Sequence, residues 1–118
     1  MKLDLEERTI KFGKAIVKFS YNTEKHQVIN KIIDQLVRSG TSIGANYMEA
    51  INASSKKDFK NKIFICKKEA QETRYWLIIL EDYVKNTELI YLKQECYELN
   101  LIFQKIVSTM NAKIKTDN

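Results

Sequence analysis

Proline is absent from the 118-residue chain, and glycine occurs only three times. Tight turns draw on those two residues, so a sandwich or small barrel built from many short turns is excluded. Cysteine and histidine are nearly as scarce, at two and one. Cys66 and Cys96 lie far apart without metal-ligand spacing, and His26 alone cannot complete a zinc set with them. There is no run of about 18 uncharged apolar residues, so no membrane-spanning helix is expected. The opening MKLDLEERTIKFGK carries acids where a secretory leader needs an apolar core. Those absences together set the expectation of an intracellular, reducing environment and no membrane partner. Chemistry is equally sparse. The chain has no Glu-x-x-His pair, no glycine-rich phosphate loop and no evident nucleophile–base pair, so no enzyme, catalytic residue, metal or cofactor is expected.

Apolar periodicity is what the chain does have. Hydrophobic residues make up 44% and charged residues 30%, an ordinary globular balance that fits one domain over 1–118. Phe59, Ile63, Cys66, Ala70, Thr73, Leu77, Leu80 and Val84 recur at alternating steps of four and three, the seam of a bundle helix. Leu89, Leu92, Cys96, Leu99, Phe103, Ile106 and Met110 repeat the pattern. So do Leu5, Thr9, Phe12, Ile16 and Phe19, and again Ile29, Ile33, Leu36, Gly40, Ile43, Tyr47 and Ala50. Four stripes predict four helices, at about 5–21, 24–53, 56–85 and 88–114. Asp4 with Glu7 and Ser55 with Asp58 have capping-box spacing. Asn22–Thr23 and Asn86–Thr87 read as turns that pair a left-handed asparagine with a hydroxyl cap, and only the tail KTDN reads as frayed. Short connections make successive helices antiparallel, so the expected fold is an all-α, up-down-up-down four-helix bundle.

Gly40 and Gly44 each cost about 1 kcal/mol against alanine in a helix interior. Close approach of a neighbouring helix is the favoured reason, and an interruption near Ser39–Thr41 the competing one. Beside the seam, Ser39, Ser42, Asn46 and Glu49 form a polar stripe on helix two, matched by Glu69 and Glu72 on helix three. Ser42, Asn46, Glu49, Glu69 and Glu72 are read as a structural polar network that fixes register or assembly. The alternative is acid/base or metal chemistry by Glu49 and Glu72. Helix three also carries a second stripe, Ile65, Glu69, Glu72, Trp76, Ile79 and Tyr83, with Phe64 and Ile78 on another side. Phe64, Trp76, Ile79 and Tyr83 are therefore candidates for a self-association interface, unless neighbouring helices simply cover them. Tyr75–Trp76 reads as packing rather than a base platform, Cys66 and Cys96 as buried core, and His26 as an exposed residue opening helix two.

The net charge is +5, with 20 Lys and Arg against 15 acids. Lys56, Lys57, Lys60, Lys67, Lys68 and Arg74 cluster on helix three, and Lys60, Lys67 and Arg74, seven apart, share one ridge. Lys11, Lys14 and Lys18 form another on helix one, with Lys113 and Lys115 near the end. Lys56, Lys57, Lys60, Lys67 and Arg74 are the candidates for RNA or DNA phosphate contact, against the simpler reading of a solvated face.

The run SGTSIGANYMEA followed by SSKKDFKNKIFICKKEAQETRYWLIIL resembles the four-helix-bundle family named for 23S ribosomal RNA intervening sequences. Ser42, Ile43, Asn46 and Glu49 match its helix-two pattern, although Ala50 stands where many members have glycine. Lys57, Asp58 and Phe59 match its helix-three opening, and Lys68, Glu69, Ala70, Glu72, Thr73, Tyr75, Trp76 and Leu77 its later steps. The resemblance implies a small cytoplasmic bacterial protein forming a ring-like homo-oligomer, typically a pentamer. It also implies kinship with the accessory protein of diversity-generating retroelements, a basic barrel thought to engage nucleic acid and a reverse transcriptase. The functional expectation is a non-enzymatic oligomer that binds nucleic acid, with a protein-binding scaffold as the alternative.

Overall fold

A computed structural model describes residues 4–117, with side chains through Lys113. Four helices follow in order: α1 (Leu5–Asn22), α2 (Gln27–Ile51), α3 (Lys56–Leu80) and α4 (Thr87–Asp117), with no strand among the described residues. They form a bundle measuring 52 × 25 × 24 Å. Each helix packs on its neighbours in sequence, and α4 closes on α1 along a thinner seam.

Local chemistry sets most of the ends. The Asp4 carboxylate accepts from Glu7 N–H at 2.8 Å, and the Ser55 hydroxyl accepts from Asp58 N–H at 3.0 Å, as the capping spacings predict. The other two starts differ from expectation. Helix α2 begins at Gln27 rather than near 24, capped by His26, whose Nδ1 accepts from Val28 N–H at 3.1 Å. Thr23 instead closes α1, its hydroxyl donating to the Phe19 carbonyl at 2.7 Å. Asn86, not Thr87, caps α4, accepting from Leu89 N–H at 2.9 Å. No described non-glycine residue has positive φ, so neither asparagine is left-handed. Helix α3 stops at Leu80 rather than near 85, because the Glu81 and Tyr83 N–H groups bond three residues back, to the Ile78 and Leu80 carbonyls, and so tighten the chain into turns. Helix α4 runs on to Asp117 and takes in most of the KTDN tail.

The four stripes meet in one core. Phe12, Ile16, Leu36, Ile43, Ile63, Leu77, Leu99 and Phe103 are fully buried there, each worth about 1.5–3 kcal/mol over exposure. Near the end of α4 the buried position is Val107, with Ile106 and Met110 only half-covered. A helical period of about 3.6 drifts from a strict seven-residue repeat, which explains the shift.

Helix α2 is continuous through Ser39–Thr41, and the close-approach reading of its glycines holds. A Cβ on Gly40 would stand 2.9 Å from Ile16 Cγ1, and one on Gly44 3.3 Å from the Thr9 carbonyl oxygen. Ile16 is buried and β-branched, so it has little room to yield. At Gly13, by contrast, a Cβ would meet only Thr41 Cα, at an ordinary van der Waals distance of 4.0 Å. Gly40→Ala is expected to destabilise the fold by about 1–3 kcal/mol through overpacking. Gly13→Ala should stabilise it by about 0.5–1 kcal/mol through helix propensity. Urea denaturation of the two variants measures both signs.

Candidate nucleic-acid interface

Helix α3 presents three flanks because its apolar seam, filled by Cys66, Ala70, Thr73 and Leu77, faces the core. Residues one step after the seam (Lys67, Arg74) turn toward α4, and those one step before it (Glu69, Glu72, Trp76) toward α2. The α4 side is cationic and aromatic. Lys60 Nζ lies 5.8 Å from the Phe64 ring centroid, and the Arg74 guanidinium carbon 5.7 Å from that of Tyr97 on α4. Lys56, Lys57 and Arg74 are exposed, and Lys60 and Lys67 half-exposed. Among the described residues none of the five contacts a carboxylate, whereas Arg8, Arg38, Lys62 and Lys93 all do.

The α2 side is an ion-pair lattice whose centre the sequence reading missed. Arg38 Nη1 donates to Glu69 Oε2 at 3.1 Å and Nη2 to Glu72. Glu72 also accepts from Trp76 Nε1 at 3.1 Å. Arg38 answers two carboxylates that the sequence shows only as a stripe, and its own position two steps past the Leu36 seam residue was the available signal. The anticipated single network does not assemble. Ser42 and Asn46 are spent on their own helix, the hydroxyl donating to the Arg38 carbonyl and the Asn46 amide to the Ser42 carbonyl at 2.8 Å. Glu49 pairs instead with Lys62 at 3.6 Å. Glu49 and Glu72 thus have separate cationic partners, and the described residues gather no cluster of three or more His, Cys, Asp or Glu that could ligate a metal.

The self-association candidates divide. Trp76 and Ile79 are half-buried, Trp76 packing against the core, so neighbouring helices do cover part of the second stripe. Tyr83 remains 69% exposed, beside Val28, Ile29, Ile32 and Ile79 in a groove at one end of the bundle. Phe64 is exposed on the cationic flank rather than with them.

Two further features lay outside the sequence reading. Arg8 clamps α1 to α4 through three 2.8 Å hydrogen bonds, two to Glu95 and one to Glu98. The Gln94 amide and Arg8 hold the Glu98 carboxyl below the usual carboxylate range. Buried Asn100 crosses from α4 to donate to the Ala70 carbonyl at 3.0 Å. Beside it the Cys96 thiol reaches the same carbonyl at 3.4 Å, and Cys66 reaches the Ile43 carbonyl at 3.5 Å. Burial pushes both thiols up to about 12, so they are unreactive core groups.

Fold and flank define a four-helix-bundle protein with an unneutralised basic edge. The chain belongs to the 23S rRNA-intervening sequence protein family, whose model matches residues 1–105. It is similar in structure to a protein of unknown function from the S23 ribosomal protein family of Bacteroides thetaiotaomicron. The two share 32% sequence identity and a TM-score of 0.73, over 86% of this chain and 96% of that one. No curated protein matches the chain.

Arg38→Ala should destabilise the protein by about 1–2 kcal/mol, less than a fully buried pair would because Arg38 is half exposed. Adding Glu69→Gln should recover part of that loss, as a double-mutant cycle in urea would measure. Both thiols ionise at higher pH folded than unfolded. Their contribution to stability is therefore complete below the ordinary thiol range near 9 and fades as pH rises toward 12. A Cys66→Ala/Cys96→Ala variant should lose less stability than the parent between pH 9 and 11, measured by denaturant titration at each pH.

Proposed function

We propose that the protein is a non-enzymatic, self-associating helical-bundle protein of the cytoplasm that binds RNA or DNA phosphates along the α4-facing flank of α3. The carrying observation is that Lys56, Lys57, Lys60, Lys67 and Arg74 gather on α3 without a carboxylate contact among the described residues, whereas Arg8, Arg38, Lys62 and Lys93 each have one. A paired lysine must give up its partner to meet phosphate, whereas a free one releases only counterions from the nucleic acid. Family membership is in keeping with an RNA-related setting.

An antiparallel, up-down-up-down course is supported by the order of contacts, Thr9 against Gly44 and Ile16 against Gly40. Self-association is supported by two unlike exposed apolar surfaces. One holds Tyr83 and Val28, the other Ile10, Val17, Tyr21 and Met48 along α1 and α2. Unlike surfaces suit head-to-tail contacts, which close into rings. A pentamer is the subunit number that the family resemblance implies. The α1–α2 surface also favours a second reading, a scaffold that binds another protein without touching nucleic acid.

Lys60→Glu/Lys67→Glu/Arg74→Glu should bind mixed RNA and DNA much more weakly than the parent. Its logarithmic salt slope should shrink by roughly 2–3 if each cation meets one phosphate. Fluorescence anisotropy over a salt series reads both quantities. Unchanged affinity in a folded triple variant removes the flank from the proposal, and failure of the parent to bind favours the scaffold.

A further inference from the structure

The cationic flank carries more exposed apolar surface than phosphate contact requires. Across the outer groove between α3 and α4, Ile78, Ile90 and Tyr97 are 42%, 70% and 44% exposed. Arg74, Ile78, Ile90, Lys93 and Tyr97 line one stretch of that groove. Lys93 there is committed to Glu81, whereas Arg74 has no carboxylate contact among the described residues. Arg74 rests on Tyr97, and one turn before Phe64 Lys60 rests on the Phe64 ring. Cations and rings therefore alternate along a single edge, with Lys60, Lys67 and Arg74 spread over about 21 Å at 1.5 Å per residue.

A duplex would leave those rings idle, because its base faces are stacked on one another and only phosphates reach the protein. An unpaired strand supplies both partners, phosphates for the cations and flat base faces for the rings. We infer that the α3–α4 groove is a single-strand site, in which unpaired bases stack on Tyr97 and Phe64 while their phosphates follow Lys60, Lys67 and Arg74. Stacking is indifferent to base identity, so the site selects strandedness and leaves sequence unread. The inference rests on the proposed nucleic-acid binding and narrows it.

The test compares a labelled 12-nucleotide single strand, as RNA and as DNA, with a hairpin duplex of the same composition by fluorescence anisotropy from 50 to 200 mM salt. The single strand should bind at least tenfold more tightly. Tyr97→Ala should weaken single-strand binding about tenfold without changing the salt slope, because it removes a stacking face and no charge. Tyr97→Phe should keep parental affinity, and Tyr97→Leu should behave as Tyr97→Ala, since it keeps apolar bulk and loses the ring. Thermal melting confirms that each variant is folded. Equal binding of duplex and single strand, or parental affinity in Tyr97→Ala, overturns the stacking site and leaves the phosphate reading standing. Absence of binding to any of the nucleic acids sinks both. A fall in solution mass with unchanged affinity in Tyr97→Ala assigns the ring to contact between copies and overturns the inference as well.

Discussion

The bundle depends on how closely α1 can settle on α2, and two missing side chains set that distance. Gly40 receives the Ile16 side chain, where a Cβ would collide, and Gly44 the Thr9 backbone, which a Cβ would crowd. That contact lowers Thr9, Phe12, Ile16 and Phe19 into a core that the short α1 could not otherwise reach. Losing about 1 kcal/mol of helix propensity at each glycine is the cost. Four buried side chains on α1 offset it.

Once the core is filled, the polar groups at its margin decide where charge remains. Glu69 is almost fully buried and must have a cation, which Arg38 supplies from α2. Glu95 and Glu98 are met by Arg8, Glu49 by Lys62 and Glu81 by Lys93. These pairings sit on the flanks facing α1 and α2 and at the turn before α4. On the flank of α3 toward α4 the acid Glu81 is taken by Lys93, and Lys60, Lys67 and Arg74 have no carboxylate contact among the described residues. Part of the net charge of +5 is thus gathered along that edge, beside other exposed lysines such as Lys11, Lys14 and Lys18 on α1.

The helices were legible because a seam of alternating four and three leaves few other folds, and because two of the starts carried recognisable caps. The missed start of α2 has a local cause. A threonine before a helix suits capping on propensity alone, but Thr23 could also finish α1, and His26 was an unconventional acceptor. Side-chain pairing was less legible. Ser42 and Asn46 share a stripe with Glu49, yet short polar side chains satisfy themselves on their own backbone before they can reach a neighbour. Arg38 and Arg8 reach across helices, where periodicity within one helix carries no information. The basic ridge was visible in spacing, but Tyr97 joined it only through the packing of α4 against α3.

The joint between α1 and α4 differs from the other three. Contact there is thinner, and the Arg8 clamp holds it near one end, while Ala15 and Lys18 face Tyr91 and Leu92 across an open crevice further along. Among four staves it is the loosest, and solvent gains entry most cheaply there. Amide exchange in the last turns of α1 and the first turns of α4 is expected to follow a local opening that spares the α2–α3 pair, whose larger contact serves as the keel of the molecule.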